Sequence, residues 1–330
     1  MTASSSSRKN GRSGIEEAPV TPLVSITLPC YRQLDLARRA VDSIQAQTHS
    51  NLEIILLDDG ASDEYERFAQ SLGDQRVRYH RNAERLGAMK NMFAAIGAGR
   101  GSYTMAFHED DLLSTGYIAG AVGILETNPA CGFVATQLQE FTQEPSPETL
   151  SQPIPHPAYE KFPTPADLVR GILRGTADPM FGSVVYRRAA LAGVTPDHAR
   201  YATLVDRPFL LSIVERGWMA AVVREPLVWY RHHERAADAR HLAMTSEHIL
   251  HLLENYRSKL PVTLTKEDWA LFYSYSGYWL FELYRLTPED HRPPVWKFLF
   301  QAWRKGLYDP RARGRFGVRQ VQRALLNQTS

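Results

Sequence analysis

The chain has 330 residues, 44% of them hydrophobic and 22% charged, with a formal net charge of +2. That length allows a large core, in one elaborated domain or two small ones, and the near-neutral charge sets up no field that calls for nucleic acid. Only two cysteines occur, Cys30 and Cys131, and no run of about 18 apolar residues exists. This excludes a disulfide scaffold, a cysteine-rich zinc site and a spanning helix, and fits a reducing, cytoplasmic setting.

Residues 1–22 are rich in Ser, Gly, Arg and Lys and read as a disordered tail. Hydrophobic spacing then predicts strands over 23–28, 52–57, 77–80, 103–107 and 132–137. Helices are predicted between them over 35–45, 63–72, 88–98 and 116–126. Such alternation implies an α/β fold with a doubly wound, mostly parallel, Rossmann-like sheet. Residues 141–165 carry seven prolines, from Pro145 to Pro165, and read as a long irregular loop or lid. A short helix is expected from Pro165, a strand near 182–186, a helix opening at Asp206-Arg-Pro208, and strands over 219–223 and 228–231. Beyond residue 238 the chain reads as helical, over 242–256, 266–285, 295–305 and 318–326.

The stretch Tyr103–Leu113 ends an apolar strand in three consecutive acids, Glu109, Asp110 and Asp111. Carboxylates about 4 Å apart repel by roughly 1 kcal/mol in water and by several times that near a protein interior. A divalent cation, Mg²⁺ or Mn²⁺, removes that conflict and commonly also takes substrate phosphates as ligands. The plainer reading is that the acids open the next helix, where negative charge suits the dipole. Asp58-Asp59-Gly60 closes the second strand, and Tyr31 follows the first. A carboxylate there can accept from an imide N–H and a tyrosine can stack on a flat base; the plainer readings are a turn and core packing. All three clusters sit at carboxyl ends of predicted parallel strands, where such sheets bind ligands.

The run Val24–Tyr31 (VSITLPCY), then Ser43–Thr48 (SIQAQT), then Leu57-Asp58-Asp59-Gly60-Ala-Ser62 resembles family-2 glycosyltransferases of the GT-A fold. Asn82, Leu86-Gly87, Lys90-Asn91 and Gly99-Arg-Gly101-Ser-Tyr103 continue the match in order. The resemblance covers residues 22–135 strongly and 180–235 more loosely. It implies a GT-A domain over 23–237, with a nucleotide-binding half (23–137) and an acceptor half (138–237), and a helical C-terminal extension over 238–330. The implied reaction is metal-dependent inverting transfer of a sugar from a UDP- or dTDP-sugar to an acceptor hydroxyl, in cell-surface glycan assembly.

By that resemblance Tyr31 stacks on the base, Asp59 bonds it and Pro29 lies nearby. Asp111 is the chief metal ligand, with Glu109 or Asp110 facing the metal's waters or the ribose. Lys90 and Asn91 hold a phosphate or the site's carboxylates, the plainer reading being an exposed helix face. Asp206 matches the position of the general base, although Val205 stands where the family usually has an acid, and Asp also caps helices well. Asp178 and Glu234 are reserves. Tyr230-Arg231-His232-His233 resembles the segment after the last strand, which implies a contact of His232 or Arg231 with the diphosphate or metal; the plainer reading is an exposed or packed histidine pair, and His108 beside the acids carries the same two readings. Arg32, Ala61 and Glu109 depart from the usual pattern and leave the donor open. The aromatic-rich C-terminal third, with five arginines between Arg311 and Arg323, reads as helices covering the domain or forming a homodimer; a peripheral contact with the inner membrane face and a lipid-linked acceptor is the other reading. A nucleotidyltransferase would want a Gly-rich basic loop after the first strand, which Pro29-Cys-Tyr-Arg32 does not supply. A non-catalytic nucleotide-binding scaffold is the remaining alternative.

Overall fold

The computed structural model describes residues 21–60, 62–151, 157–232, 246–286 and 295–309. The expected tail, except its last two residues, lies outside these, as do the helix expected over 318–326, His233 and the reserve Glu234.

The first half alternates as expected: β1 (Val24–Cys30), α1 (Leu34–Gln45), β2 (Leu52–Asp58), α2 (Glu64–Ser71), β3 (Val77–Arg81), α3 (Ala88–Gly97) and β4 (Tyr103–Ala106). Then come β5 (Leu112–Leu113), α4 (Tyr117–Thr127), β6 (Cys131–Phe141), the single turn α5 (Pro147–Leu150) and β7 (Tyr159–Phe162). The second half adds α6 (Pro165–Arg174), β8 (Val184–Arg187), the single turn α7 (His198–Tyr201), α8 (Asp206–Glu215) and β9 (Met219–Arg231). The helices α9 (Ser246–Lys259), α10 (Lys266–Leu286) and α11 (Val295–Arg304) follow.

The described strands form one sheet in the order β3-β2-β1-β4-β8-β6-β9-β5, with β7 paired to β9. The block β3-β2-β1-β4 is parallel throughout. Beyond it β8 is antiparallel to both neighbours, and β9 runs parallel to β6. β1 and β2 are buried almost end to end because helices cover both faces, which is why they read as unbroken apolar runs. From Phe133 on, side chains of β6 alternate between two cores: Val134 joins α1 and α4, while Phe133 and Ala135 join α6, α8, α9 and α10; a register shift between Cys131 and Phe133 turns Cys131 to the side of Val134. The C-terminal helices thus share a core with the sheet. Ion pairs Arg170–Asp268 (3.1 Å) and Lys259–Glu215 (2.5 Å) pin them to α6 and α8.

Local chemistry sets the ends. α6 opens on Thr164, whose hydroxyl accepts from the Asp167 N–H (3.2 Å), has Pro165 at its first position, and closes on left-handed Gly175. Two expectations are corrected. The acids do not open a helix: Leu112 and Leu113 pair with Trp229 and Val228 of β9, and α4 begins only at Tyr117. The proline-rich excursion is not wholly irregular, since Tyr159–Phe162 pairs antiparallel with β9 and Ser146 caps a helical turn.

At the opposite end of the sheet from the acids, Ser25 Oγ donates to Glu53 Oε1 (2.6 Å) and accepts from the Gly101 N–H (2.8 Å). Gly99 folds over this pair at φ +79°, and a Cβ there would lie 2.4 Å from Ser25 Oγ. Gly99→Ala is therefore expected to destabilise the protein by about 2–4 kcal/mol, from the left-handed conformation and the overlap together. Urea denaturation checks this; an unchanged midpoint would contradict it.

Candidate active site

The chain runs from β1 through β3 on one side and returns to set β4 on the other side of β1, so strand order reverses between β1 and β4. Their carboxyl ends therefore flank the crevice in which such sheets bind ligands. A direct bond closes its floor. The Tyr31 N–H donates to Glu109 Oε1 (2.8 Å), and the Tyr65 hydroxyl of α2 donates to Glu109 Oε2. Tyr65 in turn accepts from the Gln33 N–H (3.0 Å). Burial pushes the Glu109 carboxyl up to about 7, against the lowering effect of these two donors, with Asp110 and Asp58 adding to the rise. Both oxygens of Glu109 are engaged in bracing β1 to β4 and α2.

Asp58 and Asp59 also divide their work. Asp58 is fully buried; it accepts from the Gly60 N–H (2.8 Å) and the Tyr79 hydroxyl (2.8 Å), so it makes the turn. Asp59 accepts from the N–H groups of Leu86 (2.7 Å) and Gly87 (2.8 Å) and from Asn82 Nδ2 (3.0 Å). Burial raises the Asp59 carboxyl, but these three donors and Arg85 outweigh it and hold it below the ordinary carboxylate range. Asp59 thus ties the 82–87 loop to the rim, beside Tyr31, where its own N–H donates to Cys30 O (3.0 Å). The Tyr31 ring is half-buried, with the guanidinium groups of Arg32 and Arg85 over it at 4.9 and 4.5 Å. Asn91 is buried; it donates to Leu57 O (3.1 Å) and accepts from Asn82 (2.9 Å), fixing α3 to the end of β2. Lys90, next to it, is exposed.

The remaining acids turn toward the second half. Asp111 is buried, accepts from the Arg231 N–H (2.9 Å) through Oδ1, and meets His108 Nδ1 (3.0 Å) through Oδ2. Burial pushes its carboxyl above the ordinary range, against the pull of His108 and the Arg231 N–H. Ligand atoms of His108, Asp110 and Asp111 all lie within 4.8 Å of one another. Imidazole and carboxylate donors in that number suit Mn²⁺ or Mg²⁺, so these side chains fit a divalent cation; Glu109 is not one of this group. Arg231 supports the acids further, with Nε on Asp110 O (2.9 Å). His232 is exposed at the end of β9, its N–H on Phe141 O (2.9 Å).

Asp206 is the first residue of α8 and is buried, its Oδ1 accepting from the Arg207 N–H (2.8 Å). Burial raises its carboxyl; Arg207 opposes this and Asp178 adds to it. The segment 178–183 leads from here back to the acids. Asp178 accepts from Arg207 Nε (2.9 Å), Phe181 packs edge-on to Phe209 of α8 (5.6 Å), and Gly182 lies flat on the His108 ring. A Cβ on Gly182 would be 3.0 Å from His108 Nδ1, so any larger residue would push on the imidazole. Pro29, within β1 and two residues before Tyr31, is partly buried.

The sequence profile described as glycosyl transferase family 2 matches residues 25–194, more than half of the chain. The chain belongs to glycosyl transferase family 2. It is 33% identical over 92 residues to the putative colanic acid biosynthesis glycosyl transferase WcaA of Escherichia coli, a match covering 27% of this chain and 33% of WcaA. The chain spans about a third of the length of several curated relatives that it matches, WcaA among them. Among solved structures, it superimposes on a mannosyltransferase from Pyrobaculum calidifontis in complex with GDP-Man and Mn²⁺. That match has a TM-score of 0.52 at 16% identity, over 94% of this chain and 81% of that one. TarS 1–349 of S. aureus in complex with UDP matches with a TM-score of 0.51 at 11% identity, over 86% of this chain and 92% of that one. These likenesses are of fold, and the GT-A arrangement expected from the sequence is the one observed.

Within this family member, several residues escaped the sequence reading. Tyr65 looked like one more apolar position of α2, and nothing in its neighbourhood reveals a partner 44 residues away. Arg207 and Arg85 carry no motif at all. His108 did not escape: its place beside the acids leaves it open in the sequence to contact with the metal or the diphosphate, the plainer reading being packing. Tyr65→Phe is expected to cost about 1–3 kcal/mol of stability, because it removes a donor from buried Glu109 and strands the Gln33 N–H. Chemical denaturation tests this; a loss below a few tenths would show that the brace is not needed.

Proposed function

We propose that this protein is a metal-dependent, inverting glycosyltransferase that moves a sugar from a UDP- or dTDP-sugar to an acceptor hydroxyl in cell-surface glycan assembly. One observation carries the reading: Tyr31, Asp59 and the His108–Asp110–Asp111 group lie along one rim at the strand-order reversal, and the 178–183 segment runs from that group to Asp206. The UDP and GDP-Man bound by the two solved structures, and the putative colanic acid role of WcaA, support the donor class and the pathway class.

In this reading the Tyr31 ring stacks on the base, next to the Arg32 and Arg85 guanidinium groups that lie over it, with Pro29 close by in β1. Asp59 Oδ2 accepts only the Gly87 N–H, which leaves it capacity for a base N–H. His108, Asp110 and Asp111 hold the cation, and Glu109 keeps to its bracing. A divalent cation bound there would neutralise the charge that grows on the departing diphosphate. Lys90 and His232, both exposed near the rim, reach toward phosphate oxygens, while Asn91 fixes the helix that presents Lys90. Asp206 Oδ takes the proton of the acceptor hydroxyl as its oxygen attacks the anomeric carbon and the nucleoside diphosphate leaves from the opposite face. Asp178 is committed to Arg207, which favours Asp206 over it as the base; the other reserve, Glu234, lies outside the described residues.

No described helix is long and apolar enough to cross a membrane. Phe300 and Trp303 of α11 are exposed side by side, which favours a peripheral contact with a lipid-linked acceptor.

Nucleotide release from a panel of sugar nucleotides, with and without Mn²⁺, tests the reading. Asp206→Asn is expected to lower kcat by about 10²–10⁴-fold with nucleotide affinity kept, and Asp111→Asn to abolish the response to Mn²⁺. Turnover indifferent to chelator and to Asp111→Asn would refute the metal role. Tight nucleotide binding without turnover on any acceptor would favour a scaffold.

A further inference from the structure

Arg207 is an unusual residue to bury. Its guanidinium is under a tenth exposed and is held between two carboxylates. Nε donates to Asp178 Oδ1 (2.9 Å), while NH1 lies 3.9 Å from Asp206 Oδ1. Above it sits the indole of Trp279, 5.9 Å from the guanidinium carbon, contributed by α10. Removing such a cation from water costs several kcal/mol unless the site gives it partners. Asp178 alone does not require this, because its side chain is half exposed and an arginine at the surface would reach it as well. The burial is explained if the charge is needed where Asp206 is.

We infer that Arg207 is a positioning residue for the transfer reaction: its buried guanidinium holds Asp206 ionised, and through Trp279 it makes the C-terminal helices part of the catalytic unit. The inference rests on Asp206 being the base. Asp206 lies in a dry setting that favours its protonated form, and a protonated acid cannot accept the acceptor's proton. The groups that face it are Arg207 and Asp178, with the phenols of Tyr186 and Tyr256, which burial and the nearby carboxylate keep neutral. Tyr275 of α10 faces Arg207 from the other side. Arg207 is therefore the only cation among the groups that face Asp206 in the described residues. The two carboxylates act in opposite senses: Asp178 steers Arg207 but repels charge on Asp206.

The test is the pH profile of kcat/KM with the full chain, the donor found active in the panel, and Mn²⁺. Its acidic limb reports the base of the free enzyme, and activity falls as pH drops through that value. Arg207→Met removes the cation, so the limb is expected to move to higher pH by about one unit or more. Arg207→Lys keeps the charge and should leave the limb near that of the wild type. Asp178→Asn should move the limb to lower pH, opposite in sign, and its exposed position makes it the variant that folds if Arg207→Met does not. A purely structural Arg207 would lower activity equally at all pH values in Arg207→Met and leave the limb of Asp178→Asn in place; that result overturns the inference. Asp206→Asn separates the two failures. Retained turnover in it removes the base assignment itself, whereas an inactive Asp206→Asn with unmoved limbs removes only the role of Arg207.

Discussion

The hydrogen bond from the Tyr31 N–H to Glu109 Oε1 is the contact on which the rest of the architecture turns. It joins the end of β1 to the end of β4 across the point where strand order reverses, and Tyr65 ties the same carboxylate to α2. Without it, two strand ends would carry their functional side chains on independent loops. With it, Tyr31, the Asp59-held loop and the acids after β4 share one frame. The cost is a buried acid whose carboxyl sits near 7, raised chiefly by loss of water. The fold accepts that cost at the site's floor, where a carboxylate between two fixed donors has one orientation.

Three neighbouring acids thereby acquire different duties. Glu109 points back into the sheet, and Asp110 and Asp111 point toward His108 and β9. The turn at Glu109 and Asp110 allows such a division, so that the adjacent Asp110 and Asp111 share one side while Glu109 faces the other. β9 completes the arrangement from the far half of the sheet, delivering the Arg231 N–H to Asp111. The segment 178–183 does the corresponding work for α8, with an ion pair at one end and a glycine against the His108 ring at the other. The rim at β1 and β4 and the start of α8 are linked by contacts of ordinary strength placed in series.

Much of this was legible in the sequence. Strands buried on both faces appear as apolar runs, and the polar clusters at their ends fall where a doubly wound sheet opens its crevice. Hence Tyr31, Asp59 and the acids were found together. The bracing of Glu109 was not legible, because it depends on a tyrosine hydroxyl far along the chain whose position only the packing of α2 fixes. The partners of Asp59 were half legible: Asn82 and Leu86-Gly87 belong to the matched run, but nothing in it shows that their N–H groups turn onto Asp59. β5 has two residues, too few for periodicity, and β7 is hidden among prolines that read as loop. Arg207 looked like one charge at a helix start until the C-terminal helices covered it.

The central claim is that one rim binds a nucleoside diphosphate and a divalent cation together. Calorimetric titration of UDP with and without Mn²⁺, and of Mn²⁺ with and without UDP, tests this without need of an acceptor. Shared ligation of one diphosphate requires each to tighten the other by the same factor, about tenfold or more. Independent binding of the two, with either affinity unchanged by the other, would contradict the account.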